Sequence, residues 1–274
     1  MIRQMLLLVA ALCCACALAI AAEPAFDAYG RLISFPGKTV VPCPTQDART
    51  AVIFVAGQSN VANHAEQLQT TAFGDRVVAY FEGSCSIASS PLLGATAIEG
   101  DSLTPLGDEL IRSGRFDRVV LAPVAVGGTE IARWVDGELA PLLRQALDAV
   151  QARYRVTHAI WHQGESDADA GTSAADYRRR FETLLGRWRA QGMAAPVLVS
   201  VTTRCDPNWK PDNPVALAQR SLPDPARGLY PGADSDGLLP SAELSGGECH
   251  HNAQGQAHLA KLLASALLAV DPAR

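Results

Sequence analysis

Ala51-Val52-Ile53-Phe54-Val55-Ala56, followed at once by Gly57-Gln58-Ser59-Asn60, decides how this chain is read. An unbroken apolar run of this length fits a strand buried on both faces, as in a parallel sheet. The glycine permits a sharp turn. Ser59 then stands at the strand's carboxyl end, where an open α/β sheet puts its binding crevice. Similar runs recur at Val77–Phe81, Val119–Val126, Thr157–Trp161 and Val197–Val201. Helical stretches lie between and after them, at Pro105–Arg112, Leu139–Tyr154, Ala174–Ala190 and Ala253–Ala269. The alternation predicts the α/β class: a three-layer α/β/α sandwich on a central parallel sheet, with right-handed crossovers.

With 48% hydrophobic and 19% charged residues over 274 positions, the chain can bury a full core and is not a disordered one. A formal charge of -5, with the basic residues scattered, argues against a nucleic-acid partner. The one basic run, Arg178-Arg179-Arg180, reads as the solvated face of a helix. No repeat or linker divides the chain, so residues 22–274 are read as one domain and residues 1–21 as a separate object. Arg3 precedes the apolar run Met5–Ala22, and Ala19-Ile20-Ala21 has the small-x-small form of a cleavage site. This marks a secretory signal peptide, with no stable membrane insertion once it is removed. A periplasmic or secreted location is therefore expected.

Removing the signal leaves Cys43, Cys85, Cys205 and Cys249, which in an exported chain can form two bridges in any of three pairings. Cys43–Cys85 with Cys205–Cys249 is the expected pairing, because the last two flank segments placed beside the site. No spacing suits a zinc site, and no metal or organic cofactor is expected.

Two more runs carry chemistry. Trp161-His162-Gln163-Gly164-Glu165 ends a strand, so Gln163 and Glu165 should surface at the same sheet edge as Ser59. His250-His251-Asn252-Ala253-Gln254-Gly255 brings a histidine just ahead of the last helix. A serine, an acid and a histidine in that order are the parts of a nucleophilic hydrolase, because the hydroxyl is a weak nucleophile until a base takes its proton. Gly127-Gly128 follows the strand Val119–Val126 and offers backbone N–H groups with little steric bulk. With the Ser59 amide and the Gln163 side-chain amide these could form an oxyanion hole, where losing one donor typically costs about 3 kcal/mol. Each feature alone has a plainer meaning: a turn or helix cap for the serine, a tight turn for the glycines, a loop cap for Gln163. Gly83–Asp101 and Arg204–Gly247 are long, loop-like regions, expected to shape a binding surface over the scaffold.

Taken together, Gly57-Gln58-Ser59-Asn60, Val126-Gly127-Gly128-Thr129, Trp161-His162-Gln163-Gly164-Glu165-Ser166-Asp167 and the histidine run resemble the SGNH hydrolases. Within them the likeness is to the sialate O-acetylesterase-like and carbohydrate esterase family six proteins. The runs span most of the mature chain in the family's order. The resemblance implies a flavodoxin-like sandwich and an acetylated sugar or polysaccharide as substrate. It also implies Ser59 as nucleophile, with Gly128 and Gln163 completing the oxyanion hole. Arg133, Trp134 and Trp209 are candidates to stack on or hydrogen-bond the sugar, with packing as the alternative for each.

One departure matters. In the family the base histidine sits five residues before a glycine and three after an aspartate; counting back from Gly255 gives His250, but three before it stands Gly247. Glu165 could orient the imidazole, as the resemblance supports. Glu248 could bend round to His250, or pair with His251 at the family's spacing. His250 with Glu165 is the leading choice, and His162 is read as structural. The expected activity is carbohydrate O-acetyl ester hydrolysis through an acyl-enzyme. A general short-chain carboxylesterase and a catalytically weakened carbohydrate-binding relative remain the alternatives.

Overall fold

Along Thr50–Gly57 the buried side chains alternate between two apolar layers: Val52, Phe54 and Ala56 enter one, Ala51, Ile53 and Val55 the other. A strand with no polar face belongs at the centre of a sheet covered on both sides. A computed structural model of the protein describes residues 23–238, 240–245 and 249–271, and puts it there. In chain order the strands are β1 (Ala25–Phe26), β2 (Leu32–Ser34), β3 (Val40–Val41), β4 (Thr50–Gly57), β5 (Val77–Phe81), β6 (Ser84–Ile87), β7 (Arg118–Ala125), β8 (His158–His162), β9 (Val197–Val201) and β10 (Leu229–Asp234). The α-helices are α1 (Leu103–Arg112), α2 (Ile131–Val135), α3 (Leu139–Gln151), α4 (Glu165–Asp169), α5 (Ala174–Ala190), α6 (Pro214–Ser221), α7 (Ser235–Leu238) and α8 (Ala253–Leu268).

β1 and β2 pair separately, and the other strands form one eight-stranded sheet in the order β10-β9-β8-β4-β7-β5-β6-β3. From β10 to β5 every pairing is parallel, whereas β6 runs antiparallel to both of its neighbours. Helices α2, α3, α5 and α6 bury their apolar stripes on the Val52 face, and α1 and α8 on the Ile53 face. Each large aliphatic side chain so buried contributes about 1.5–3 kcal/mol. The expected three-layer sandwich is therefore the fold, with one strand, β6, next to the β3 edge, that departs from a purely parallel sheet.

The departures have local causes. β6 returns from β5 through Glu82 and Gly83, both at positive φ, a tight turn that only an antiparallel strand can follow. Arg204–Gly247 is not all loop. Asn213 accepts from the backbone N–H groups of Val215 and Ala216 and starts α6, with Pro214 in its first turn, and β10 follows.

Register positions the site. Gly57 lies opposite Ala125 on β7 and His162 on β8, so three chain segments leave the sheet at one level. A Cβ on Gly57 would sit 2.0 Å from the His162 carbonyl oxygen, so only glycine lets β4 and β8 close up there. The disulfides are those expected. One joins Cys43, just past β3, to Cys85 on β6; the other joins Cys205, beyond β9, to Cys249 beside His250. The expected signal peptide lies outside the described residues, among which no helix is long and apolar enough to cross a membrane.

Candidate active site

Ser59 opens a single 3-10 turn, Ser59–Val61, directly beyond β4 and is 4% exposed. As the first residue of that turn it has a backbone N–H with no partner inside the turn. Beside it the β8 end is held by a buried polar cluster. The Gln58 Oε1 accepts from Gln163 Nε2 (3.2 Å), Gly164 N (3.4 Å) and Ser166 N (3.4 Å). Asn60 Nδ2 donates to Glu165 Oε1 (2.7 Å) and to the Cys249 carbonyl (3.0 Å). That second bond ties the turn carrying Ser59 to the residue preceding His250, so serine and histidine flank one hydrogen bond.

Gln163 does not stand as a free oxyanion donor. It is fully buried, and Nε2 lies within hydrogen-bond distance of the Thr129 carbonyl (2.8 Å), Asp167 Oδ2 (2.6 Å) and Gln58 Oε1. An amide nitrogen has two hydrogens, and here both are committed. Its effect is to hold Thr129, and through it the preceding Gly127-Gly128 turn. Of those two glycines, Gly127 N donates to Thr96 Oγ1 (2.9 Å). Gly128 sits at φ +65, with nothing within 4 Å of where a Cβ would be, beside an open space. Its N–H has no partner among the described hydrogen bonds.

Glu165 also differs from expectation. Its Oε1 accepts from Asn60 Nδ2 and from Thr202 Oγ1 (2.8 Å), and its Oε2 from Gly164 N (3.1 Å); His250 is not among its partners. Asn60 stands between them and passes the contact to the Cys249 carbonyl. Burial, reinforced by nearby Asp236, pushes the Glu165 carboxyl up to about 7, against the pull of its hydrogen bonds. Asp236 is itself buried, and it accepts from Thr203 N (2.8 Å), Thr203 Oγ1 (2.6 Å) and Arg204 N (3.0 Å).

Four histidines, His64, His162, His250 and His251, stand on the segments that meet here. The His64 and His250 rings lie 5.0 Å apart with planes tilted by 35°. His250 is half-buried, which lowers its basicity, while Glu99 draws it back up. His251 is 2% exposed; burial and the His250 charge hold it near pKa 4. Its ring is packed inside and does not face solvent. His162 is fully buried with neither ring nitrogen partnered, and burial takes it to about 3. It packs, as expected of a structural histidine. Glu248 and Gly247 lie outside the described residues.

The candidate sugar contacts separate. Trp134 is buried, donates to Thr129 Oγ1 (2.9 Å) and meets Trp161 edge to face, so it packs. Arg133 pairs with Glu138 at the surface. Trp209 is half-buried, with the Arg204 guanidinium 5.5 Å from its ring centroid. It lines a groove of about 410 Å³ with Asp169, Asp206 and Asn213, beyond the β8 and β9 ends. Gln58, Asn60, Asp167 and Thr202 join the site unannounced, although the first three sit inside the quoted runs. His64 had no such signal.

Fold and site together define an esterase of the SGNH class. Residues 49–269 match the family described as "Carbohydrate esterase, sialic acid-specific acetylesterase". The chain belongs to this family and is an esterase of acetylated carbohydrates. Similar solved structures include a protein from Arabidopsis thaliana, 18% identical, covering 81% of this chain and 99% of that one with a TM-score of 0.65. A novel carbohydrate acetylesterase from Xanthomonas citri is also 18% identical; the match covers 81% of this chain and 56% of that one at a TM-score of 0.53. The psychrotrophic esterase EstA from Pseudoalteromonas sp. is 14% identical, with 80% and 97% covered and a TM-score of 0.50. No curated sequence matches the chain.

Proposed function

We propose that this protein is an exported carbohydrate O-acetylesterase that works through Ser59 and an acetyl-enzyme. The observation that carries the reading is the Asn60 bridge, which holds the Ser59 turn against the backbone beside His250. In the first step His250 takes the Ser59 hydroxyl proton as Oγ bonds to the acetyl carbonyl carbon. The negative charge formed on the carbonyl oxygen meets the Ser59 and Gly128 N–H groups. The C–O bond to the sugar then breaks, and the sugar oxygen leaves with the proton from His250. Water repeats the sequence on the acetyl-enzyme and releases acetate. Glu165 acts at one remove, fixing Asn60; Gln163 fixes the glycine turn. The Ser59–His250 hydrogen bond is not among those described, a looseness common before substrate binds.

The Trp209 groove supports a sugar ring, its indole face for stacking and its carboxylates and amides for hydroxyl groups. The two disulfides support an oxidising compartment. The deciding experiment measures acetate release from acetylated xylan, an O-acetylated sialic acid and a small activated acetate ester, beside Ser59→Ala. Release from a glycan that vanishes in the variant supports the reading. Ser59-dependent activity on the small ester alone points to a general esterase, and no Ser59-dependent release at all points to a binding protein.

A further inference from the structure

Two consecutive residues beyond β9 serve different parts of the molecule. Thr202 Oγ1 donates to Glu165 Oε1 (2.8 Å) and so belongs to the net behind Ser59. Thr203, equally buried, donates through Oγ1 to Asp236 Oδ2 (2.6 Å), while Asp236 Oδ1 accepts from Thr203 N (2.8 Å) and Arg204 N (3.0 Å). A hydroxyl has one hydrogen and a carboxylate only accepts, so Asp236 fixes which way that hydrogen points. The lone pairs left on Thr203 Oγ1 accept from Trp209 Nε1 (2.8 Å) and Asn213 Nδ2 (2.7 Å). Trp209 and Asn213 both line the groove beyond the β8 and β9 ends, so one buried hydroxyl holds two of its walls. The groove adjoins the site: Asp169, which also lines it, ends α4, and that helix begins at Glu165, about 6 Å back along its axis. Trp134, Trp161 and Trp188 are at most 1% exposed, whereas Trp209 is only half-buried. An indole left open at a groove yet tethered through its N–H offers a ready-set apolar face, with little left to order when a ring settles on it.

We propose that Thr203 and Asp236 are positioning residues for sugar recognition: the Asp236 carboxylate orients the Thr203 hydroxyl, and that hydroxyl holds the Trp209 ring and the Asn213 amide where the sugar of the substrate docks. The inference rests on the reading of the Trp209 groove as the sugar site and deepens it. Neither Thr203 nor Asp236 touches the substrate. The chain just beyond β9 thus supports both ends of the substrate, Thr202 on the side of the ester and Thr203 on the side of the sugar.

The test is steady-state kinetics on acetylated xylan and on an O-acetylated sialic acid, beside tryptophan fluorescence of the Ser59→Ala protein titrated with the same glycans. Thr203→Val keeps the shape and loses the hydroxyl. It should raise KM on the better glycan about 3- to 10-fold, change kcat less, and weaken the fluorescence-detected binding by the same factor. Thr203→Ser should restore both, and Asp236→Asn should move KM in the direction of Thr203→Val. Trp209→Phe keeps a ring without the tethered N–H, and adding Thr203→Val to it should raise KM by less than the product of the single effects. A KM unmoved by Thr203→Val overturns the inference, as does a kcat/KM that falls equally on the small acetate ester. A glycan KM unchanged in Trp209→Ala overturns the groove reading itself, even where Ser59-dependent acetate release stands. The fluorescence titration needs no catalysis, so it decides the inference even if that release fails.

Discussion

The serine side of the site rests on parallel strands: β4 and β8 close up at Gly57, and a fully buried net of Gln58, Gln163, Asp167, Thr129 and Glu165 locks the ends that follow. Among the described residues the histidine side has no strand beneath it. His250 hangs between the Cys205–Cys249 bridge and α8, with its carbonyl accepting from Ser245 N (2.7 Å) and Oγ (3.1 Å). The nucleophile is held by a sheet, the base by a covalent strap and a few loop contacts. Precision at the base therefore depends on few bonds, each of which can be removed singly.

The largest expected effect tests whether the two sides form one machine. Ser59→Ala and His250→Ala should each lower kcat by about four orders of magnitude, with unchanged circular dichroism, as members of a catalytic unit do. Equal losses, and no further loss in the double variant, are the expected pattern; a strong inequality breaks the pairing.

The disulfides divide the comparison more finely. Cys43–Cys85 and Cys205–Cys249 close loops of nearly equal span, 42 and 44 residues, so serine pairs at either should cost about 2–4 kcal/mol in urea unfolding. Only loss of Cys205–Cys249 should also lower kcat, by about 10- to 100-fold, because an ångström of misplacement at the base costs that much. Equal kcat in the two double variants would show that the strap does not position His250.

Asn60→Ala removes a side chain that touches both sides. It leaves the Glu165 carboxyl short of a donor, at about 1–3 kcal/mol of stability, and should cut kcat by about tenfold with KM little changed. The smallest effect is in pH dependence. Glu165 is raised from 4.5 to about 7, so its contribution is fully present below 4.5 and is lost as pH rises through 7. His162 and His251 are lowered from 6.5 to about 3 and about 4, so theirs is present above 6.5 and is lost as pH falls. Glu165→Gln should flatten the alkaline side of the stability profile in urea titrations between pH 5 and 8 and leave the acid side unchanged.

The same contrast explains what could be read in the sequence. Strand β4 and its turn are legible because a strand buried on both faces leaves an uninterrupted apolar run, and four of the other parallel strands leave the same mark. β10 does not, since Leu229-Tyr230-Pro231-Gly232-Ala233-Asp234 mixes a proline, a glycine and a charge at a sheet edge, where burial is partial. The positions of Ser59, Gly128 and Glu165 follow from strand ends. Their hydrogen-bond partners do not. Whether an amide faces the substrate or a neighbouring carbonyl depends on a few tenths of an ångström of packing, and Gln163 departs from expectation on that account. His64 lies beyond reach for another reason: its ring meets His250 between loops, which no periodicity announces.

The Cys43–Cys85 bridge also governs what the sheet can do to other molecules. A sheet edge offers unpaired backbone groups to any passing strand, and long flat edges invite aggregation. Here one margin is β3, two residues long and tethered by that bridge to the strand it pairs with. The other is β10, where Pro231 has no N–H to donate and the register slips before Asp234. Neither border gives a newcomer strand a ladder to continue, so the sheet ends at eight.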